Sequence, residues 1–283
     1  KIFTYVADYF RYPKDMDAIS YISQLLQLKA IQYGVEFWRQ NRGRCMGSLY
    51  WQLNDCWPVA SWASIDYFGR WKALHYGARR FYAPLMASAL EKEELSGDIT
   101  YYLHNDTLAE HTVTLEVTLR DADFHVLARH ETTQTLPALT VPPALHLDFE
   151  PLLTDAALRR RAFASYRMLQ DGVDVSRGTT LFVKPKHFDL PIARYTTVVT
   201  DKGASFDIHL RASGFACCVE LSLNDWDVVF GDNYFDIVDE AGVHVSLRKA
   251  DLPAGVTAAE VLAQLSVRSV RDTYQAEEEI PCN

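Results

Sequence analysis

The spacing of apolar residues changes at about Ala87, and this change limits the folds open to the chain more than any other feature. Over residues 13–41, apolar side chains recur at three- and four-residue steps, which predicts an amphipathic helix. A second helix is predicted over residues 71–82, before Pro84. Beyond Ala87 apolar and polar residues alternate, which predicts strands with one buried face. The chain is therefore expected to join a helical N-terminal part to a long β part.

Two antiparallel β-sandwiches of the immunoglobulin-like kind account for the alternating part. The first is predicted over residues 88–188 and the second over residues 192–283, with Pro185 and Pro191 bracketing a linker. The acidic residues 277–279 are expected to form a solvated tail. The predicted strands lie at residues 99–103, 113–119, 124–127, 145–149, 162–169 and 179–182 in the first sandwich, and at 206–210, 217–223 and 243–247 in the second.

An apolar run at residues 46–53 is followed directly by polar and aromatic residues. The run has little polar interruption, as expected of a strand buried on both faces in a parallel sheet. The order helix, strand, long loop and helix is typical of β/α units. We therefore predict that residues 1–87 are an incomplete (β/α)8 barrel segment, comprising the last strand and its flanking helices. Barrel enzymes keep their substrate sites at the C-terminal ends of such strands.

Charge and cysteine content argue against several classes of function. The net charge is -9 and the only tight basic run is residues 159–161, so nucleic-acid binding is not expected. No stretch approaches about 18 apolar residues, so no membrane-spanning segment is predicted. The five cysteines are interpreted as small buried or incidental thiols, which favours a cytoplasmic or periplasmic location over a disulfide-rich extracellular one.

No metal site or cofactor is predicted. Cys217 and Cys218 are neighbours in a predicted strand, so their side chains are expected on opposite faces and not on one zinc ion. The histidines show no HExxH spacing. A group of residues with side-chain oxygens lacks the spacing of a calcium loop and is interpreted as turn residues: Asp225, Asp227, Asp232, Asn233 and Asp236. A phosphate-binding glycine loop and a GxSxG motif are both absent from the sequence.

Residues 47–85, GSLYWQLNDCWPVASWASIDYFGRWKALHYGARRFYAPL, resemble the end of the catalytic barrel in β-mannosidases of glycoside hydrolase family 2. They are similar to the family's eighth barrel strand, the loop above it and the eighth helix. Residues 12–39, YPKDMDAISYISQLLQLKAIQYGVEFWR, are similar to the preceding helix. Residues 230–237, FGDNYFDI, are similar to part of the family's C-terminal immunoglobulin-like domain. The WQLND-x-WP run is the most specific part of this resemblance.

The resemblance implies part of a retaining exo-β-mannosidase, which releases terminal β-D-mannose with two glutamates. The two carboxyl groups of a retaining glycosidase lie about 5 to 5.5 Å apart on either side of the scissile bond. In the family both follow earlier barrel strands, so we expect them upstream of Lys1. Glu36 is the only glutamate before Ala87 and lies in a predicted helix. We therefore expect the chain to be inactive alone and to need the upstream part of the same barrel.

Four residues are predicted to contact or support a β-mannoside or manno-oligosaccharide. By resemblance, Trp51 forms the floor under the sugar ring, because an indole face suits a C–H-rich sugar face; a buried packing role is the alternative. Asn54 and Asp55 would bond sugar hydroxyls or orient the glutamates, with a turn or helix-cap role as the alternative. Trp57, with Trp62, would wall the pocket, and packing of the long loop is the alternative.

Two competing functions follow from the same sequence. One is another family 2 specificity, such as β-glucuronidase or β-galactosidase, although the WQLND run matches mannosidases better. The other is a carbohydrate-binding or interdomain scaffold formed by the two sandwiches. A carbohydrate-binding sheet needs a planar row of aromatic residues, and Trp226 is the only tryptophan beyond residue 71. The scaffold interpretation therefore fits the sandwiches better than the carbohydrate-binding one.

Overall fold

A computed structural model describes residues 2–275. The predicted acidic tail and Cys282 lie outside these residues. The helices are α1 Ile2–Tyr9, α2 Met16–Gln40, α3 Ala73–Phe81, α4 Ala156–Arg159 and α5 Ala258–Gln264. The strands are β1 Leu85–Glu91, β2 Asp98–Asn105, β3 His111–Asp121, β4 Val126–Leu136, β5 Pro143–Asp148, β6 Ala162–Gln170, β7 Val173–Leu181, β8 Tyr195–Asp201, β9 Ser205–Ala212, β10 Ala216–Leu223, β11 Phe235–Ile237, β12 Val243–Arg248 and β13 Leu265–Arg268.

The chain divides into two compact units, each with its own pair of antiparallel sheets. The first unit joins Lys1–Leu28, Trp51–Tyr76 and Leu190–Asn283. The second unit joins Lys29–Tyr50 and Gly77–Asp189. The long helix α2 contributes residues to both units.

The second unit contains the first of the two predicted sandwiches. Its sheets have the strand orders β1-β2-β5 and β4-β3-β6-β7, and every pair is antiparallel. Strand β3 buries alternate residues, as its sequence predicts, and Leu115 and Val117 are completely buried. In the core the rings of Tyr101 and Tyr166 meet edge to face with 5.6 Å between centroids. The alternating apolar residues therefore form the shared core of this sandwich.

Three strands of the second unit differ from the predictions, and one of them is β7, which begins at Val173 although the strand was predicted at residues 179–182. Strand β1 was not predicted, because LMASALE does not alternate apolar and polar residues. The strand predicted at residues 124–127 is displaced, since β4 begins at Val126. Phe124 instead lies in a turn with a φ of 71°, where the Asp121 carboxylate accepts backbone hydrogen bonds from Asp123 and His125 at 2.9 and 3.0 Å. Local side-chain hydrogen bonds thus decide where this strand begins.

The two predicted helices of the N-terminal part are confirmed as α2 and α3. Helix α2 begins after Asp15, whose Oδ1 accepts a 2.7 Å hydrogen bond from the backbone N–H of Ala18. Its apolar stripe buries Tyr21, Ile22 and Leu25 completely. Within residues 2–275, no helix combines the length and the apolar character that crossing a membrane requires.

The sheets of the first unit have the strand orders β12-β9-β8 and β11-β10-β13. The alternation predicted at residues 206–210 and 243–247 is confirmed, because β9 and β12 pair antiparallel and bury their apolar faces. Asn233 binds β10, the middle strand of its sheet, through its side-chain amide, which accepts from the Leu221 N–H at 2.8 Å and donates to the Leu221 carbonyl at 2.9 Å. Both bonds reach a strand residue twelve positions away, so the turn role expected of this region stays a prediction.

The prediction that Cys217 and Cys218 point to opposite faces is wrong. The register of β10 shifts between Ala216 and Val219, and Cys218 has a φ of 56°. This bulge interrupts the two-residue alternation of the strand. The two Sγ atoms consequently lie 3.5 Å apart on the same side.

The prediction of a buried strand at residues 46–53 is wrong for the described structure. Residues 46–50 have no regular secondary structure, and the side chains of Met46 and Leu49 are 71% and 99% exposed. A strand buried on both faces needs hydrogen-bonded neighbours on each side. In the described part of the chain no sheet includes the run. The carbonyls of Gln52 and Leu53 accept backbone hydrogen bonds from Ser64 and Ile65, beside an isolated bridge between Asn54 and Ile65. The local sequence therefore does not form this strand without further strands beside it.

Candidate substrate-binding loop

The predicted site residues lie at the start of a loop in the first unit, residues 51–72. Backbone hydrogen bonds join separate parts of this loop to one another. Ile65 forms a parallel bridge with Asn54 and an antiparallel bridge with Trp71. The N–H of Asp55 donates to the Ile65 carbonyl at 3.1 Å, and the N–H of Lys72 donates to the Ser64 carbonyl at 2.9 Å. Residues 55–64 are therefore held at both ends.

Asp55 is 7% exposed and its carboxylate faces into the loop. Oδ1 accepts a 2.6 Å hydrogen bond from the Ser61 hydroxyl, and Oδ2 lies 3.4 Å from the Lys72 ammonium. The Ser61 hydroxyl also accepts a 3.0 Å bond from the N–H of Ala63. This arrangement gives Asp55 the role of tying the loop together, which is close to the predicted alternative of a turn role.

Replacing Asp55 with alanine is expected to lower the free energy of unfolding by about 2 kcal/mol, because Ser61 and Lys72 lose a buried acceptor. Urea unfolding of the chain measures the loss, and limited proteolysis should cut residues 56–63 faster. Asp55→Asn is the matched control: its amide oxygen still accepts from Ser61, so the loss should be smaller. Equal stability of Asp55→Ala and the parent would contradict this role.

Asn54 is exposed at the mouth of the loop. Its Nδ2 donates to the Asp55 carbonyl at 3.2 Å, and Gln52 Nε2 donates to the Asn54 carbonyl at 3.1 Å. Contact of Asn54 with a sugar hydroxyl stays a prediction.

Three tryptophans of the candidate site are more than half exposed. Trp51 is 73% exposed, Trp57 66% and Trp62 59%. In the part of the chain that the structure describes, no aromatic ring contact joins these three side chains. Trp51 thus lacks the buried packing role that was its alternative, and its contact with a sugar stays a prediction.

The far end of the loop adds two aromatic rings and the guanidinium of Arg70. Tyr67 and Phe68 meet edge to face with 5.2 Å between centroids, and the Arg70 guanidinium lies 5.0 Å from the Phe68 centroid. Arg70 Nε also contacts Asp66 Oδ2 at 2.6 Å. The loop therefore presents mainly aromatic surface, which is the chemistry that binds sugar rings by stacking.

Four supporting residues were not predicted from the sequence. Ser61 and Lys72 hold Asp55, and the Ser64 hydroxyl lies 3.0 Å from His75 Nδ1. Burial lowers the pKa of His75, which favours the neutral ring at this position. Serine, lysine and histidine at these spacings match no motif, so only the folded loop identifies them.

Comparison with known proteins relates both sandwiches to mannosidases. Residues 97–187 match a family model described as a mannosidase Ig/CBM-like domain, and residues 190–273 match one described as an Ig-fold domain. A β-mannosidase of Capra hircus is 28% identical over 247 residues, which is 80% of this chain and 28% of that protein. A β-mannosidase of Mus musculus is 39% identical over 124 residues, which is 39% of this chain and 14% of that protein.

The solved structures with a similar fold also include a β-mannosidase. The β-D-mannosidase of Dictyoglomus thermophilum has a TM-score of 0.81 and 25% identity, covering 95% of this chain and 31% of that one. An exo-chitosanase of Amycolatopsis orientalis has a TM-score of 0.71 at 13% identity, covering 94% of this chain and 35% of that one, and shares the fold. Together these findings confirm the predicted resemblance to the C-terminal portion of family 2 β-mannosidases.

Proposed function

We propose that this chain is the C-terminal portion of a retaining exo-β-mannosidase that hydrolyses terminal non-reducing β-D-mannose residues. The observation that carries the proposal is the match to β-mannosidases over 80% of the chain. The chain spans about 28% of the length of the curated relatives it matches. The activity therefore belongs to the whole protein, and the two catalytic glutamates are proposed to lie upstream of Lys1.

Residues 1–87 are proposed to complete the catalytic barrel, and sandwich domains at residues 88–188 and 192–283 follow them in the sequence. The exposed apolar side chains of Met46, Leu49 and Leu53, at 71%, 99% and 55%, support this proposal. Such a run is costly in water and gains hydrogen bonds and burial when neighbouring barrel strands flank it. The run would then become the last barrel strand, with Trp51 at its C-terminal end.

Trp51 is proposed as the platform under the mannosyl ring, with Trp57 as a side wall. Asn54 offers an exposed amide to a sugar hydroxyl. Asp55 supports the site indirectly, because its carboxylate already binds Ser61 and Lys72. It would position the loop that carries the aromatic residues. The chain supplies no catalytic carboxylate in this proposal and should be inactive by itself.

In the full-length protein, Trp51→Ala is expected to lower kcat/KM for an aryl β-mannoside about ten-fold or more, on the order of 1.4 kcal/mol. The lost interaction is the stacking surface under the sugar. Trp226→Ala is the control, because Trp226 lies in the last sandwich, and it should change kcat/KM less than about two-fold. An unchanged constant for Trp51→Ala would remove Trp51 from the site.

The same assay decides among the family 2 specificities. Aryl β-mannoside, β-glucuronide and β-galactoside are compared at equal concentration with the full-length protein. The β-mannoside should give the largest kcat/KM. A larger value for either other sugar would replace the proposed specificity, while the position of the site would stand.

A further inference from the structure

Two thiols and one carboxylate meet at the bulge of strand β10 in the first unit. The Sγ atoms of Cys217 and Cys218 and a carboxylate oxygen of Asp236 all lie within 4.8 Å of one another. The two sulfur atoms are 3.5 Å apart. This separation exceeds the roughly 2.05 Å of a disulfide bond, so both residues are thiols. The cluster has no part in the proposed glycosidase site.

The backbone is shaped to bring the two sulfur atoms together. Regular strand geometry would place adjacent side chains on opposite faces. Here the bulge puts Cys218 in the left-handed region at a φ of 56°, which is uncommon for a residue other than glycine. The N–H of Cys218 donates to Asp236 Oδ1 at 2.7 Å, which fixes the carboxylate of β11 beside the thiols.

The surroundings of the cluster keep it rigid and nearly dry. Cys217 is 6% exposed and Cys218 is 4% exposed. The hydroxyl of the fully buried Tyr21 donates to the Cys218 carbonyl, so helix α2 holds the bulge from outside the sheet. Side chains held by packing and hydrogen bonds in this way need little reordering to bind a ligand.

We propose that Cys217, Cys218 and Asp236 form a binding site for a thiophilic divalent cation of the Zn²⁺ class. Zn–S bonds of about 2.3 Å in tetrahedral geometry place two thiolate sulfurs about 3.8 Å apart, close to the separation found here. Thiolates select zinc-class ions over Mg²⁺ and Ca²⁺. Binding forms two metal–sulfur bonds and one metal–oxygen bond, and it releases the two thiol protons to solvent.

We propose no metal site at a second group of residues with metal-ligand side chains, Asp121, Asp123 and His125. Its members are largely exposed, and the Asp121 carboxylate accepts the N–H groups of Asp123 and His125 as a turn residue does. His125 Nδ1 lies 2.9 Å from Asp121 Oδ2. These contacts explain the grouping without an ion.

Cadmium titration of the 283-residue chain tests the proposal. The parent variant carries Cys45→Ser, Cys56→Ser and Cys282→Ser, so that only the pair at the bulge keeps its thiols. Cd²⁺ should bind at one equivalent per chain with a thiolate-to-cadmium charge-transfer absorbance, Zn²⁺ should displace it, and Mg²⁺ should not. Binding should release about two protons and raise Tm.

Variants of the three ligands separate this site from adventitious binding. Cys217→Ser and Cys218→Ser should each abolish the charge-transfer absorbance. Asp236→Asn keeps an oxygen that accepts from the Cys218 N–H but loses the charge, and should weaken Cd²⁺ binding at least ten-fold. The proposal fails if the parent variant shows no such absorbance, if the absorbance persists without both thiols, or if Asp236→Asn binds Cd²⁺ as tightly as the parent.

Discussion

Glu36→Gln is expected to raise the free energy of unfolding by about 3 kcal/mol above pH 7 and to leave it nearly unchanged below pH 4.5. Glu36 lies half-buried in α2, and its Oε1 accepts a 2.7 Å hydrogen bond from Gln32 Nε2. Burial raises the pKa of this carboxyl to about 7, while the bond from Gln32 and the charges of Lys29 and Arg39 act in the opposite direction. The cost of burying the carboxylate exceeds these favourable contacts.

The sign of the effect follows from proton binding. The folded-state pKa of about 7 lies above the unfolded value of 4.5, so between these values the folded protein holds the proton more tightly. The free energy of unfolding therefore falls as pH rises through this window, by about 1.4 kcal/mol for each unit of pKa difference. Glutamine accepts the same bond from Gln32 and has no proton to lose, so the variant lacks this fall.

Urea unfolding on both sides of the window measures the effect of Glu36→Gln. Glu93→Gln is the matched control, because Glu93 is exposed and the substitution removes the same charge from the same unit. The control should shift the stability little and equally at both pH values. If Glu36→Gln and the parent lose stability in parallel as pH rises, another group is responsible for the pH dependence.

Gly242→Ala is expected to lower the free energy of unfolding by at least about 3 kcal/mol. Gly242 has a φ of 72° and stands directly before β12, whose Val243 pairs with Leu210 of β9. A Cβ at this position would lie 2.2 Å from the Leu210 carbonyl oxygen and 3.0 Å from the Arg211 Cα. Because both are backbone atoms, the strands must separate to admit a methyl group.

Gly255→Ala is the control that isolates the steric clash. Gly255 has a φ of 85°, and a Cβ there would meet no atom within 4 Å. Only the left-handed backbone conformation is then penalised, at roughly 1 to 2 kcal/mol. Both variants lie in the first unit, so the difference between their unfolding free energies measures the contact with β9. Equal losses would show that the close approach of β9 is unimportant.

The alternating part of the chain could be predicted well because its signal is local. In β3, Leu115 and Val117 are buried while their neighbours face outward, and a period of two follows from strand geometry itself. Helix α2 is predictable for the same reason, at a period of 3.6 residues. Strand β1 lacks this alternation, so only its pairing with β2 identifies it.

The candidate site was predicted from residue types, while its supports were not. Trp51, Asn54 and Trp57 stand out as aromatic and amide groups after an apolar run. The contacts of Asp55 with Ser61 and Lys72 depend on how the loop folds, and no spacing in the sequence predicts them. Of the roles predicted for Asp55, a sugar contact, orientation of the glutamates or a turn role, these contacts favour one that positions the loop.

The sequence by itself determined the β-sandwich pattern, the helices α2 and α3 and the resemblance to β-mannosidases, because each rests on neighbouring residues in the chain. Tertiary structure alone decided two other matters. Residues 46–53 form no strand in the described structure, because a strand is stabilised by hydrogen bonds to neighbours and not by its own sequence. As neighbours in a strand, Cys217 and Cys218 are predicted to point to opposite faces. Their sulfur atoms meet because a bulge interrupts the alternation of the strand at this point.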